Sequence, residues 1–229
     1  MPMKFYMTPG SCTTGIHILL EELELPFEVY IVNLPAGDHL KPEYLAINPK
    51  ATIPALVRDD GLVLTEFQAI AYWLARKYPK AKLLPGDPDG DARVIEIMDY
   101  VVGTIHGQGF TRIFTTENFT PHAADHAAVK ARGQEIVEKG FAIMNAALAG
   151  RDYVVGSFSI ADAALFYVEF WADKIGVDLP EHCRAHYQRM RARPVVQRVL
   201  REEGYRKEHR KCDDPRVAVG AGGFVGVRA

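Results

Sequence analysis

The sequence predicts an α/β domain over residues 1–80 and an all-α domain over residues 91–204. In the first range, strand-like and helix-like stretches alternate in the order β-α-β-α-β-β-α, which implies a mixed sheet with helices against it. In the second range, strand patterns disappear and helical periodicity continues. Prolines, glycines and acidic residues predict a linker at 81–90. Residues 205–229 lose the helical pattern and are expected to form a poorly ordered tail.

The overall composition excludes several function classes. The chain has 229 residues and a net charge of -2, so neither nucleic acid nor a membrane surface is an expected partner. No apolar run reaches the roughly 18 residues that a membrane span needs, and the N-terminus lacks a signal-peptide pattern. Cys12, Cys183 and Cys212 are too few and too scattered for a disulfide framework or a cysteine-rich zinc site. We therefore expect a cytoplasmic protein without a metal.

Turn residues and periodicity define the elements of the first domain. Pro9 and Gly10 end the first strand, and Asp59-Asp60-Gly61 between two apolar runs predicts a β-hairpin. The predicted strands cover residues 4–7, 27–32, 55–58 and 62–64, and the predicted helices cover residues 11–24, 42–47 and 65–78.

Helical spacing of apolar residues defines the second domain. Its first helix carries a continuous stripe formed by Val94, Ile97, Met98, Val101, Val102 and Ile105. Further helices are predicted over residues 123–148, 159–175 and 180–203, the last one broken before Pro194. Ser159 and Asp162 form a capping-box pattern, with Asp in place of the usual Glu.

Cys12 is the first candidate for chemistry, because it follows a Pro9-Gly10-Ser11 turn where a strand gives way to a helix. Free backbone N–H groups and the positive end of the helix dipole meet at such a position, and both favour a thiolate. A lone cysteine is usually a small core residue, so the local pattern leaves both roles open.

Two other segments carry candidate binding groups. Ile53-Pro54 precedes a strand, where a cis proline would leave the backbone of Ile53 free to pair with a peptide-like ligand; a trans proline is the commoner case. Glu66, Phe67 and Gln68 begin a helix, whose free N–H groups suit a carboxylate while Glu66 suits an ammonium. Simple complementarity with the helix dipole explains Glu66 equally well.

Three more ionisable residues have two interpretations each. His106 lies at the edge of the apolar stripe, where a packed side chain with a satisfied nitrogen is the usual role. His39 and Lys41 lie in the loop before the short helix, where either surface solvation or binding of a carboxylate fits the sequence.

Together these features resemble the glutathione transferase superfamily, and most closely its bacterial beta class. The resemblance covers residues 3–204 and implies a thioredoxin-like domain that binds glutathione, followed by a helical domain that completes the site for an electrophile. Five motifs in order carry it: Tyr6-Met7-Thr8-Pro9-Gly10-Ser11-Cys12, Ala46-Ile47-Asn48-Pro49-Lys50, Thr52-Ile53-Pro54-Ala55-Leu56, Leu64-Thr65-Glu66 and Phe158-Ser159-Ile160-Ala161-Asp162-Ala163.

The resemblance implies roles for individual residues. Cys12 and His106 are expected beside the glutathione sulfur, with Ser11 as the third catalytic residue. Ile53, before a cis Pro54, is expected to pair with the backbone of glutathione's cysteine.

The remaining implied contacts belong to the two ends of glutathione. Glu66 is expected to contact the γ-glutamyl group, together with the backbone N–H of Phe67 and with Gln68. His39 matches a histidine of the delta and theta classes that helps to hold the glycine carboxylate, and Lys41 is expected nearby.

Two residues depart from the beta-class pattern. Phe67 stands where the family usually has Ser or Gly, so the side-chain donor to the γ-glutamyl carboxylate is missing. Gly107 stands where beta-class enzymes commonly have Lys.

The expected activity is addition of the glutathione thiolate to an apolar electrophile, in detoxification or catabolism, with thiol–disulfide exchange through Cys12 as a side activity. Phe110, Ile113 and Phe114 are expected to line the electrophile pocket, although core packing explains them equally well. Phe67 motivates an alternative, a transferase-like binding or interaction protein with little turnover. A reductase or lyase centred on Cys12 is a third option. The resemblance also implies a homodimer.

Overall fold

A computed structural model describes residues 2–205, and the rest of the predicted tail lies outside this range. Its first part contains a four-stranded sheet of order β2-β1-β3-β4, in which β1 and β2 are parallel and the other neighbours are antiparallel. This mixed sheet confirms the predicted fold class. The elements are β1 Met3–Met7, α1 Thr13–Glu22, β2 Phe27–Ile31, α2 Pro42–Leu45, β3 Ala55–Val57, β4 Val63–Thr65 and α3 Phe67–Lys77.

The second part is helical, as predicted. Its first helix begins at Pro88, inside the predicted linker, and Leu83 and Leu84 just before it are buried. The break before Pro194 is present. The elements are α4 Pro88–Asp99, a π-helical segment Tyr100–Phe110, α5 Thr111–Phe114, α6 His126–Ala147, α7 Ile160–Ile175, α8 Glu181–Ala192 and α9 Pro194–Glu202. Among the described helices, none combines the length and the apolar character that crossing a bilayer requires.

The apolar stripe that starts at Val94 was expected to form one regular α-helix, and the winding instead changes at Tyr100. The wider segment packs closely against α6 through glycines. A Cβ on Gly109 would lie 2.7 Å from a methyl carbon of Val137, so this approach requires glycine. Single π-turns in α-helices frequently mark functional sites, and His106 lies on this segment.

One continuous apolar core joins the two parts, because α7 packs against both α1 and α4. Helices α1 and α7 approach closely at Gly15 of α1, where a Cβ would lie 2.7 Å from the backbone oxygen of Ala163. Tyr205 also belongs to the packed structure, so its assignment to a poorly ordered tail is wrong. Its ring lies edge-on to Phe170, 4.9 Å between centroids, because the chain turns back over α7 after α9.

A buried polar network lies inside the helical part. Asp162 accepts hydrogen bonds from the backbone N–H groups of Ser159 and Val154, at 2.8 and 2.9 Å, so the predicted capping box is present. The two nitrogens of His186 lie 3.2 Å from Asp162 and 2.8 Å from Glu169. All three ionisable side chains are fully buried. Because buried charges need partners, this network specifies how α7 packs on α8.

Candidate active site

The candidate site is built around the turn between β1 and α1. The Thr13 hydroxyl donates to the backbone oxygen of Thr8 at 2.9 Å, and the N–H of Ser11 donates to the same oxygen at 3.1 Å. The Ser11 hydroxyl lies 2.7 Å from the Thr13 hydroxyl. Cys12 follows directly and precedes the first residue of α1, as the sequence predicted. These local bonds give the turn a defined shape.

Two residues of the helical part, distant in sequence, also bind this turn. The N–H of Gly10 donates to Glu203 Oε2 at 2.8 Å, and the indole N–H of Trp171 donates to the Gly10 oxygen at 2.7 Å. Gly10 has φ +74°, and a Cβ there would lie 1.9 Å from the Tyr205 hydroxyl. Glycine is therefore required both by backbone conformation and by space.

The protonation state of Cys12 is set mainly by its burial. The side chain is 8% exposed, and burial raises the pKa of the Cys12 thiol to about 12. Hydrogen bonds from its own backbone N–H and from Ser11 lower that pKa, but by less. Loss of hydration thus outweighs the helix N-terminus, and Cys12 is a neutral thiol near pH 7.

The segment before β3 approaches this thiol. The Ile53–Pro54 peptide bond is cis, as the resemblance implied. The Cys12 sulfur lies 3.9 Å from the backbone oxygen of Ile53. The preceding Thr52 is fixed through its own backbone oxygen, which accepts from the side chains of Tyr44 at 2.5 Å and Asn48 at 2.7 Å. The predicted Cys12 and Ile53 are therefore brought together.

Glu66 lies just before α3 with an unusual backbone, φ +71°. Non-glycine residues in this region cost free energy and cluster at functional sites. The Glu66 carboxylate is about half exposed and pairs with Lys50 Nζ at 2.7 Å. Lys50 also donates to the Thr65 hydroxyl at 2.8 Å. Lys50 belongs to one of the five family motifs but was not predicted as a site residue. Its ammonium places a cation beside Glu66.

The two residues after Glu66 point in different directions. Phe67 is 3% exposed, and its ring packs on Tyr167 with 5.3 Å between centroids, close to Gly15. Its side chain therefore fills the core between α1 and α7, while its backbone N–H lies at the start of α3. Gln68 is partly buried and reaches Asp99 of α4 at 3.5 Å.

His106 is enclosed by two aromatic residues of α7. Its Nδ1 lies 3.1 Å from the Tyr167 hydroxyl, and its ring is edge-on to Trp171 at 4.8 Å between centroids. Burial lowers the pKa of His106 to about 4, so the imidazole is neutral near pH 7. Burial, with a smaller contribution from Cys12, holds the pKa of Tyr167 well above its usual value. The Tyr167 hydroxyl is therefore available as a donor to Nδ1.

His39 and Lys41 both lie just before α2 and differ in their surroundings. His39 is 8% exposed, and its Nδ1 has no hydrogen-bond partner within residues 2–205. Lys41 is exposed and pairs with Asp38 at 2.6 Å, which raises the pKa of Lys41 through that hydrogen bond.

The three residues predicted to line an electrophile pocket are not equivalent. Phe110 is fully buried and stacks on Phe114, so its assignment to the pocket is wrong. It packs against Phe141 of α6 because the π-helical segment turns it toward the core. Ile113 and Phe114 are partly buried, and Phe114 is edge-on to Trp171 at 5.4 Å between centroids. They remain candidates.

Sequence reasoning missed Glu203, Trp171 and Tyr167. Gly10 lies 193 positions from Glu203 and 161 from Trp171, while Tyr167 lies 61 positions from His106. No local pattern marks such pairs. Tyr167 and Trp171 do lie four positions apart in α7 and therefore share one helix face, which is the one signal available in advance.

Comparison with known proteins finds two family models and a curated relative that match this sequence. Residues 10–77 match the family model "Glutathione S-transferase, N-terminal domain", and residues 127–200 match "Glutathione S-transferase, C-terminal domain". Glutathione S-transferase GstA of Escherichia coli O157:H7 is 37% identical over 88% of this chain and 99% of its own length.

Solved structures give the same result. A glutathione transferase homologue from Sulfitobacter with bound glutathione is 31% identical over 89% of this chain and 99% of its own, with a TM-score of 0.82. A bacterial beta-class glutathione S-transferase from Sphingomonas chungbukensis is 29% identical over 88% of this chain and 99% of its own, with a TM-score of 0.76.

Proposed function

The chain belongs to the glutathione S-transferase family, near its beta class, and from this premise we propose that it adds the thiolate of glutathione to an apolar electrophile. The observation that supports this proposal is that the predicted residues Cys12 and Ile53 lie together at the start of α1, with the Cys12 sulfur 3.9 Å from the Ile53 oxygen. His106, the other predicted catalytic residue, contacts the Tyr167 hydroxyl of α7, which packs against α1. The glutathione sulfur is proposed to lie beside this group.

The neutral state of His106 assigns it a donor role. When the Tyr167 hydroxyl donates to Nδ1, the single proton of the neutral imidazole is on Nε2. That N–H can donate to the glutathione thiolate, and so can the un-ionised thiol of Cys12. Ser11 supports the arrangement by fixing the turn that carries Cys12.

These groups supply enough free energy to ionise glutathione. A free thiol has a pKa near 8.5, and lowering it by about 2 units requires roughly 2.7 kcal/mol of preference for the anion. A helix N-terminus contributes up to about 2 kcal/mol, and each hydrogen bond adds about 1 kcal/mol. For a glutathione sulfur that keeps more contact with water than the buried Cys12, the N-terminus of α1 with His106 and Cys12 as donors supplies this preference, and we propose that the conjugation step uses no metal.

Glutathione itself is proposed to lie along Ile53, Pro54 and the start of α3. The Ile53 backbone would pair with its cysteine, and the Phe67 N–H with its γ-glutamyl carboxylate. Glu66 would bind its ammonium.

Three further side chains are proposed to complete the glutathione site. Gln68 is a supplementary donor to the γ-glutamyl carboxylate. The unpartnered Nδ1 of buried His39 supports a role with the glycine carboxylate, and Lys41 adds positive charge nearby.

The electrophile is proposed to be a small apolar compound bound against Ile113 and Phe114, whose partly buried side chains lie beside Trp171. Detoxification or catabolism is the corresponding role. Thiol–disulfide exchange through Cys12 is expected to be slow, because burial raises the pKa of its thiol to about 12 and so disfavours the thiolate that attacks a disulfide. This also argues against a reductase centred on Cys12.

We further propose a cytoplasmic homodimer. Cys12 and Cys183 are free thiols, which suits a reducing compartment. Leu62, Val63 and Tyr72, on the β3–β4 hairpin and α3, are exposed at 60%, 41% and 43%. Exposed apolar groups of this size suit a subunit contact.

Conjugation assays test the proposed function. Steady-state rates are measured with chlorodinitrobenzene and a panel of other electrophiles, alongside calorimetric titration with glutathione. We expect glutathione-dependent turnover and a loss of kcat of about tenfold or more in His106→Asn, with exposed His122→Asn as the matched control. Binding without turnover on any electrophile would favour the alternative of a binding protein. Equal rates for His106→Asn and His122→Asn would remove His106 from the mechanism.

A further inference from the structure

A second cluster of chemical groups lies in a cavity between α1, β2 and the end of α9. The cavity has a volume of about 450 Å³. Its walls include the apolar side chains of Met7 and Phe27, while His17, Glu21 and Glu202 form a polar end. The proposed conjugation mechanism uses none of these residues.

The ligating atoms of this polar end are close together. One atom each from the side chains of His17, Glu21 and Glu202 lies within 4.8 Å of the other two. His17 Nε2 and Glu202 Oε2 are 3.4 Å apart. Two ligands of a tetrahedral zinc ion, each bound at about 2.0–2.1 Å, are separated by about 3.3 Å. This pair therefore already has the spacing of two metal ligands.

The other side of the imidazole is held by a buried carboxylate. His17 Nδ1 lies 2.9 Å from Glu203 Oε1, and the two side chains are only 4% and 1% exposed. When Nδ1–H donates to Glu203, the lone pair of Nε2 is directed at the cluster. Metal-binding histidines are almost always oriented by such a carboxylate or carbonyl partner. Glu203 is itself fixed, because its second oxygen accepts from Gly10 N at 2.8 Å and from the Thr14 hydroxyl at 2.7 Å.

The charges around the cluster favour a cation. Three carboxylates, those of Glu21, Glu202 and Glu203, surround one imidazole, and Arg198 pairs with Glu21. The Arg198 side chain is 44% exposed and can move into water, and the pairing leaves the other oxygen of Glu21 for a ligand.

We propose that His17, Glu21 and Glu202 bind one divalent transition-metal ion, Zn²⁺ in preference to Mg²⁺, with Glu203 as the group that orients His17. One imidazole and two carboxylates suit zinc and leave a position for water, whereas Mg²⁺ prefers oxygen ligands alone. The ion would join α1 to α9 and lie next to the carboxylate that holds Gly10.

Zinc titration of the full chain tests this site. The protein is stripped with a chelator and titrated calorimetrically with Zn²⁺ and then with Mg²⁺, at several pH values. We expect one Zn²⁺ per chain, weaker binding as the pH falls, and Mg²⁺ binding at least about 100-fold weaker. In Glu202→Gln, Zn²⁺ affinity falls by at least about tenfold, while Glu43→Gln, an exposed control, binds as wild type.

Cobalt distinguishes this site from a cysteine site. Co²⁺ bound by one imidazole and carboxylates lacks the intense near-ultraviolet charge-transfer band of a cobalt thiolate, and we expect that band to be absent. Glu202 is 48% exposed, so the unliganded Glu202→Gln variant should keep the wild-type melting temperature. No Zn²⁺ binding to wild type at millimolar metal, or equal binding to Glu202→Gln, would overturn the proposal. Conjugation rates of the same samples report separately on the proposed function.

Discussion

Two buried carboxylates, Glu203 and Asp162, each bind several polar groups, but their partners lie at very different distances along the chain. Glu203 is bound by the N–H of Gly10, the hydroxyl of Thr14 and the imidazole of His17, which lie 186 to 193 positions earlier. Asp162 is bound by partners only 3 to 24 positions away, all within the helical part.

This difference in partners predicts that the Asp162 network affects mainly stability, whereas the Glu203 network also affects the geometry of the candidate site. The Asp162 network joins α7 to α8 and is remote in sequence from the turn that carries Cys12. The Glu203 network joins the helical part to the turn that precedes Cys12. Both carboxylates need all their partners, because an unpaired buried charge is costly. Loss of Asp162 should therefore act mainly on folding, and loss of Glu203 on both folding and catalysis.

The largest effect is expected from Asp162→Ala, which leaves His186 and the start of α7 without their partner. We expect the free energy of unfolding to fall by about 3–5 kcal/mol, measured by urea denaturation. Asp152→Ala, which removes an exposed pair with Arg189, should change it by less than about 1 kcal/mol. Similar losses in both variants would show that the buried network does not hold the helical part together.

The second effect is expected from Glu203→Gln, which replaces the carboxylate by an amide of the same shape. Hydrogen bonds to a charged group contribute about 1.5–3 kcal/mol, so we expect a loss of about 2 kcal/mol in unfolding free energy. Because the Gly10 turn loosens, kcat for conjugation should also fall, by about tenfold. Glu202→Gln in metal-free buffer is the neighbouring control. Unchanged kcat in Glu203→Gln would break the link between this carboxylate and the site.

The third prediction concerns pH and the Asp162 network. Burial alone lowers the pKa of His186, but the charges of Glu169 and Asp162 and their hydrogen bonds outweigh it and raise that pKa to about 10. The folded state therefore binds more protons than the unfolded state between about pH 6.5 and 10. The free energy of unfolding should fall as pH rises from 7 to 9, by up to about 1.4 kcal/mol per pH unit.

Urea denaturation at each pH measures this slope. His186→Gln removes the titrating group and should flatten the curve between pH 7 and 9, even though its stability is lower throughout. His182→Gln, on the same helix but outside the buried network, is the matched control. A slope that persists in His186→Gln would assign the pH dependence to another group.

The smallest effect is expected from Trp171→Phe, which removes the indole N–H that donates to Gly10. One neutral hydrogen bond contributes about 1 kcal/mol, so kcat/KM for glutathione should fall about fivefold. Trp73 lies on α3 with its ring beside Arg58, and Trp73→Phe should leave kcat/KM within twofold. A larger loss in Trp73→Phe than in Trp171→Phe would contradict the role of the indole.

Local rules predicted most of the fold. The hairpin around Gly61, the capping box at Ser159 and the break before Pro194 each depend on residues close together in sequence. The π-helical segment was missed because an apolar stripe does not distinguish i→i+4 from i→i+5 winding over three turns.

The site was predictable in its parts but not in its electrostatics. The turn at Cys12 and the segment at Ile53 were found from motifs. The local pattern left the role of Cys12 open, because burial, which a local sequence does not reveal, decides the direction in which the pKa of its thiol moves. Phe110 was misassigned because core and pocket draw on the same apolar residue types. Phe67 drew attention as an obstacle to binding, whereas the fold directs its ring into the core.

Trp171, Glu203 and Tyr205 contact Gly10 although they follow it by more than 160 positions, and this separation affects the order of folding during translation. A nascent chain that has grown as far as α3 already contains Cys12, but it lacks every residue that holds Gly10 from the helical part. Domains generally begin to fold as they leave the ribosome. The turn that carries Cys12 is therefore completed only when nearly the whole described chain has been made.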